Sequence, residues 1–301
     1  MRILNIGSMN IDKIYQVEYF TSAGKTSKTL SFKQSCGGKG LNQSVALARA
    51  GIKVWHAGYV GTDGEELVQL LRWEGVELDY VQKIDGPTGH AIIQVDKQGQ
   101  NSILICGGSN ELVTCDYIDQ VLTHFEAGDF LVLQNEVSNT SYAIQRAKEM
   151  GMIVFLNPSP IEHDNDIQAI DRVDYIILNE VEGSILTCEF DDAAILEALH
   201  AQYKNASIIL TVGKRGVLYK DRNCTLSHGV YDLTAVDTTA AGDTFTGYFI
   251  ASISTGKSIV EAIEYASIAS SLCVSRHGAA PAIPNRTEVE EFKSRCHETD
   301  R

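Results

Sequence analysis

Positive charge is scarce in this sequence: 25 Lys and Arg stand against 39 Asp and Glu, a formal net charge of -14. Nucleic acid and anionic membranes are bound through clustered Lys and Arg, so neither is expected as a partner, and any phosphate ligand has to be held locally. Paired cysteines are lacking too. Cys36, Cys106, Cys115, Cys188, Cys224, Cys273 and Cys296 are odd in number, scattered, and never in a C-x-x-C pair, which argues against a disulfide framework and a zinc site and for a reducing compartment. The eight histidines show no metal-ligand spacing, and no Ser or Cys sits in a nucleophile motif. There is no apolar run of membrane-spanning length and no repeat, linker or low-complexity tract. The chain opens straight into a strand-like run at 2–6, so a soluble, cytoplasmic protein is expected. At 301 residues it can bury a full core, and a single domain over 1–301 with a small appendage is expected.

What is present alternates. Short apolar runs at 3–7, 53–60, 130–134, 152–157, 175–179 and 207–212 read as buried strands. Helical spacing covers 40–50, 64–74, 139–150, 192–204 and 259–275, with Gly51, Gly75 and Gly151 as stop signals. Strand–helix alternation predicts an α/β fold: a mainly parallel sheet covered by helices on both faces, in three layers. Two regions, about 13–35 and 89–106, break the rhythm. Ile93-Gln94-Val95-Asp96 alternates as a half-exposed strand and Asp96-Lys97-Gln98-Gly99 reads as a hairpin turn, so a small antiparallel flap is predicted, serving as a lid or a dimer contact. A homodimer through such a flap is the expected assembly.

The stretch 236–245 carries the chemistry. Small residues Ala240, Ala241 and Gly242 precede Asp243 at the start of an apolar helix. Exposed N–H groups there attract phosphate oxygens, and Asp243 is placed either to take a proton from an attacking hydroxyl or only to cap the helix. Gly37-Gly38-Lys39-Gly40-Leu41-Asn42 opens another helix, with glycines for close approach and with cationic and amide donors for hydroxyls. Asn10 and Asp12 share one face of an extended segment, where they meet a polyol or form an Asx turn. Glu136 ends a strand. Asn179 and Glu182 stand at a strand end and a first helical turn, where a carboxylate orders hydrated magnesium or complements the helix dipole. Thr211-Val212-Gly213-Lys214-Arg215-Gly216 makes a further strand-end turn. No phosphate motif of the standard kinds is present: Gly24-Lys25-Thr26 and Gly256-Lys257-Ser258 lack the P-loop's earlier glycine, replaced by Tyr19 and Ala251, and Gly7-Ser8-Met9-Asn10 is no dinucleotide fingerprint.

In this order, over nearly the whole chain, these segments resemble the ribokinase family of carbohydrate kinases, also called the phosphofructokinase-B superfamily. Its two signature regions correspond to 37–42 and 237–245. The resemblance implies a ribokinase-like α/β domain with a β-sheet lid, transferring phosphate from ATP to the hydroxymethyl group of a pentose, D-ribose foremost, with Mg2+ on the nucleotide. It implies Asn10, Asp12, Gly38, Lys39, Asn42 and Glu136 as sugar-binding residues, Asp243 as catalytic base, and the amides of Ala240, Ala241, Gly242 and Asp243 as the anion hole. Asn179, Glu182, Thr211, Gly213, Lys214, Gly216 and Ser267 match nucleotide-side positions. Asp237, Thr239, Cys273, Arg276 and Gly278 match ligands of an activating potassium ion. The chain departs from the family at Ala23-Gly24-Lys25-Thr26, in place of Pro-Gly-Glu-Thr, at Ser267, in place of a histidine, and at Ala282, in place of a hydroxyl residue. The same core serves kinases of deoxyribose, fructose, ketodeoxygluconate or nucleosides, and the polar set from Asn10 to Glu136 favours a small hydroxylated furanose. A non-catalytic sugar sensor would have no use for Asp243, and a nicotinamide dehydrogenase would need the missing glycine fingerprint.

Overall fold

The computed structural model describes residues 1–161, 167–231 and 233–299. In chain order the strands are β1 (Ile3–Ile6), β2 (Asn10–Gln16), β3 (Ser31–Gly37), β4 (Val54–Val60), β5 (Glu77–Lys83), β6 (Gly89–Val95), β7 (Asn101–Cys106), β8 (Phe130–Gln134), β9 (Ile153–Asn157), β10 (Tyr175–Asn179), β11 (Ser207–Thr211), β12 (Val217–Lys220) and β13 (Thr225–His228). The helices are α1 (Lys39–Arg49), α2 (Glu65–Trp73), α3 (Cys115–Leu122), α4 (Thr140–Glu149), α5 (Glu180–Thr187), α6 (Asp192–Gln202), α7 (Ala241–Ser254), α8 (Ile259–Val274) and α9 (Arg286–Thr299).

A large sheet runs β13-β12-β11-β10-β9-β8-β1-β4-β5, parallel from β11 to β5 and closed at the other end by the antiparallel hairpin β12-β13. The inner parallel strands β8, β9, β10 and β11 are nearly continuous apolar runs because both faces are covered. Ile3, Val132, Phe155, Ile177 and Ile209 pack on the side of α1, α7 and α8. Their neighbours Leu4, Leu131, Leu133, Val154, Leu156, Ile176 and Leu210 pack on the side of α3, α4 and α6. This is the three-layer arrangement that the alternation predicts.

Strand β1 lies between β8 and β4, and the chain spreads outward from it in both directions. A crevice opens outside the carboxyl ends of strands at such a reversal. Asn10 follows β1 and Glu136 follows β8, so both stand at that crevice.

The small sheet, ordered β3-β2-β6-β7, corrects the antiparallel flap. Its central pair, β2 and β6, is parallel over Asn10↔Gly89 to Gln16↔Val95, with antiparallel β3 and β7 outside. Half-exposed alternation reveals a face but not a strand direction. Strand β2 also begins at Asn10, so Asn10 and Asp12 belong to the small sheet itself. Elements without a clear apolar period went unforeseen. Strand β5 is half-exposed along its length, α3 is a short helix marked only by its cap, Thr114 Oγ1 accepting from Tyr117 N–H at 3.2 Å, and α9 is polar almost all round. Among the described residues no helix is long and apolar enough to cross a membrane.

Candidate active site

Helix α7 starts sharply. Ala240 takes a left-handed backbone (φ 59°, ψ 9°), which costs a non-glycine residue roughly 1–2 kcal/mol. The N–H and hydroxyl of Thr244 both return to the Ala240 carbonyl at 2.8 Å, and Ala241 N–H reaches the Thr238 carbonyl at 3.2 Å. Among the described residues the N–H groups of Gly242 and Asp243 have no acceptor. They form the positive end of a 14-residue helix. A Cβ on Gly242 would meet nothing within 4 Å, so the glycine borders open space. That space is a cavity of about 190 Å³ lined by residues 240–243, by Lys39, by Asn157, Asn179 and Thr211 from the carboxyl ends of β9, β10 and β11, and by Glu182 from the first turn of α5. A helix N-terminus with free donors opposite a lysine is built for an anion.

Asp243 is 6% exposed. Its carboxylate accepts from Asn42 Nδ2 at 2.9 Å and Gln43 Nε2 at 3.1 Å, two donors from consecutive residues of α1. Helix α1 can approach because Gly38, at φ 95°, and Gly40 have no side chain: a Cβ on Gly40 would stand 2.4 Å from the Ser8 nitrogen. Burial pushes the Lys39 ammonium down, but Asp243, Glu136 and Glu182 together outweigh it and hold it above its ordinary value. Lys39 is thus permanently cationic and lies in the field of three carboxylates, between the two halves of the crevice.

The residues expected around a sugar cluster on the other half. Asn10, 4% exposed, accepts from Asn110 Nδ2 at 2.7 Å, while Asn110 Oδ1 accepts from Met9 N–H at 3.1 Å. The Asn10 carbonyl is thereby spent and its NH2 remains as a donor. Asp12 packs so closely on Gly37 that a Cβ there would lie 2.1 Å from its Oδ2. Burial first, and Glu136 second, push the Asp12 carboxyl up to about 7. Glu136 accepts a short hydrogen bond from Ser8 Oγ and another from Lys39 N–H at 3.0 Å, while Ser8 Oγ accepts from Gly40 N–H at 3.2 Å. Ser8 and Asn110 therefore fix the two groups that Asn10 and Glu136 offer, and sequence reasoning missed both. Ser8 lay inside the segment already singled out, whereas Asn110 carried no signal.

On the nucleotide side, Asn179 and Glu182 form a capping box on α5: Asn179 Oδ1 accepts from Val181 and Glu182 N–H at 2.9 Å, and Glu182 Oε2 accepts from Asn179 N–H at 3.0 Å. Helix capping occupies one oxygen of Glu182, and both residues still line the cavity. Thr211 lines it too. Gly213, Lys214 and Gly216 form the tight turn that follows, outside the cavity lining, with Lys214 exposed. Ser267 is buried in α8 and is not part of the cavity lining. One turn further along α8, the Ser270 hydroxyl donates to the Ala241 carbonyl at 3.0 Å. Asp237 ties two loops together, accepting from Thr239 N–H at 2.9 Å and Oγ1 at 2.6 Å, and from Gly278 N–H at 2.9 Å. Burial pushes its carboxyl up, but those donors outweigh it and hold it below the usual carboxylate value. Cys273 Sγ approaches the Thr239 carbonyl at 3.7 Å, and Arg276 pairs with Glu288 at 2.6 Å. Of the five residues expected around a potassium ion, Asp237, Thr239, Cys273 and Gly278 are therefore linked just ahead of α7, while the Arg276 side chain turns to Glu288.

The profile of the pfkB family of carbohydrate kinases matches residues 2–286. The chain belongs to this family. A ribokinase of Haemophilus influenzae is 33% identical over 296 residues, covering 95% of this chain and 96% of its own. Among solved structures, a ribokinase of Thermotoga maritima superposes with a TM-score of 0.87 at 33% identity, covering 98% of this chain and 99% of that one. An Arabidopsis thaliana ribokinase, solved with ribose and ATP, superposes with a TM-score of 0.85 at 30% identity, covering 96% and 97%. As a pfkB-family member the chain is an ATP-dependent sugar kinase, and Gly242, Asp243 and Lys39 line one crevice in it.

Proposed function

We propose that this chain transfers the γ-phosphoryl group of ATP to the hydroxymethyl oxygen of D-ribose, giving D-ribose 5-phosphate and ADP. The observation that carries the reading is Asp243, buried at the head of α7 one residue beyond Gly242, with the free N–H groups of both facing the crevice that holds Lys39. The sugar oxygen attacks phosphorus, the bond to the bridging oxygen of ADP breaks, and Asp243 takes the hydroxyl proton. The free N–H groups and Lys39 stabilise the charge on the moving phosphoryl group, which is where such reactions gain most of their rate. Asn10 and Lys39 donate to sugar oxygens, while Asp12 and Glu136 accept from sugar hydroxyls. That mixture suits a free pentose better than a nucleoside, whose base would need an apolar slot.

The second oxygen of Glu182 would hold a water of a nucleotide-bound magnesium ion, which would supply charge neutralisation at the phosphates. The donor set beside α7 suits a potassium ion: Asp237 is held anionic, and carbonyls of Thr239, Cys273, Arg276 and Gly278 would supply further oxygens. Its charge would support the anion hole. A coupled ADP-release assay with ATP and magnesium tests the reading. Ribose should turn over at least about tenfold better by kcat/KM than 2-deoxyribose, since one lost hydroxyl leaves a buried partner unpaired, and potassium should raise the rate. Preferred turnover of another sugar would overturn the ribose assignment.

The small sheet acts as a lid on a single functional domain. The face that carries Asp12 also carries Ile14, Ile93, Ile103 and Ile105, of which Ile103 is 48% and Ile105 57% exposed. Such a face needs a cover, and a second copy of the chain supplies one. Light scattering should give the mass of two chains, and a monomer at all concentrations would refute the dimer.

A further inference from the structure

The structure assigns Gln134, which does not touch the site, as a positioning residue for the base, acting through Gln43; this rests on the role of Asp243 proposed above. Between the sheet and α1 runs an unbroken line of buried polar side chains: Gln43, Gln134, Asn5, Ser44 and His56 all have 0% exposure. A carboxylate only accepts, so Gln43 must turn its NH2 to Asp243 (3.1 Å), and the same nitrogen also donates to Asn157 Oδ1 at 3.2 Å. Its carbonyl then faces Gln134, which donates to it at 2.7 Å and to Asn5 Oδ1 at 3.0 Å. With its carbonyl spent, Asn5 donates to the Gly40 carbonyl and to Ser44 Oγ, both at 2.8 Å. Ser44 Oγ also hydrogen-bonds His56 Nδ1 at 2.8 Å. Burial pushes the His56 imidazole down to about 4 and keeps it neutral at the end of the line.

The amide orientations of Gln43, Gln134 and Asn5 thus follow from the negative charge of Asp243, and they are kept although Gln134 Oε1 is left buried without a partner among the described residues. The reverse also holds. Gln134, anchored on β8 and spending both its N–H groups, allows Gln43 only one orientation, the one that points a donor at Asp243. Asn42 and Gln43 each take one carboxylate oxygen, so together they fix the plane of the base against the sugar hydroxyl.

Two substitutions at Gln134 in the full chain separate direction from packing. Gln134→Met keeps the length and loses the amide, so Gln43 is free to turn; kcat should fall about fivefold. Gln134→Glu places an acceptor where a donor is needed and turns the Gln43 carbonyl toward Asp243; kcat should fall about thirtyfold, within what a small misplacement of a reacting group costs. KM for ribose and for ATP should stay within about twofold in both, because the line contacts neither substrate directly. Rates are expressed per folded site, counted by the stoichiometry of ribose binding in calorimetry, so a merely structural defect does not register. Should Gln134→Glu not fold, Gln134→Met alone decides. Unchanged kcat per folded site, or a loss confined to KM, overturns the assignment. If the wild type turns over a different sugar, the ribose reading fails while the same ratios, measured with that sugar, still test Gln134.

Discussion

Asp243→Asn should lower kcat by about a thousandfold or more, the upper part of what a positioned base contributes, while ribose binding in calorimetry changes little. The substitution removes the proton acceptor without changing the shape of the side chain. It does create one conflict, since the new amide NH2 faces a donor from Asn42 or Gln43. Asn42 resolves it: its Oδ1 is buried without a partner, so a turn of that one amide supplies an acceptor. The line through Gln43 and Gln134 need not reverse, and the variant should fold. Coupled ADP release and ribose calorimetry on the same preparation give the answer. Near-wild-type turnover would dismiss Asp243 as the base, and loss of ribose binding in the folded variant would make it a sugar ligand first and a base second.

Much of this site is legible along the chain because its parts are local. Small residues ahead of an acid at a helix start, as in 240–243, announce an anion site before any partner is known. The parallel strands are legible for a similar reason: Phe130–Gln134 is buried at every position, so its apolar run needs no phase. What is not legible is which buried polar groups meet. Gln134 and Gln43 are separated by 91 residues, Asn110 and Asn10 by 100, and Glu136 and Ser8 by 128, and a lone Gln or Ser at the end of a strand looks the same whether it is solvated or holds a base in place. The direction of β2 against β6 is hidden likewise, since alternation is common to parallel and antiparallel neighbours. Ser267 and Ser270 lie three residues apart on α8, and only the packing of α8 on α7 decides that the second meets the anion loop.

Ribose affinity should weaken about tenfold for each pH unit below 7, and Asp12 should be the cause. Its carboxyl is pushed from 3.8 up to about 7, chiefly by burial and then by Glu136. Among the described residues no side chain or N–H donates to it, so the ionised form lacks partners that sugar hydroxyls would provide. Binding then favours the carboxylate and releases a proton near neutrality. The sign for stability is the opposite. A carboxyl whose folded value lies above its unfolded one contributes stability that is fully present below about pH 4 and is lost as the pH rises through about 7. The free protein therefore bears the cost of a buried charge at pH 8, at most about 4 kcal/mol for a shift of this size. Asp12→Asn should accordingly raise the melting temperature at pH 8 and leave it unchanged at pH 4, while weakening ribose binding at pH 8 and flattening its pH dependence. Melting curves and ribose calorimetry at the two pH values check both halves. A pH dependence of ribose affinity that survives in Asp12→Asn would rule out Asp12 as its source and leave the melting temperatures as the only trace of Asp12.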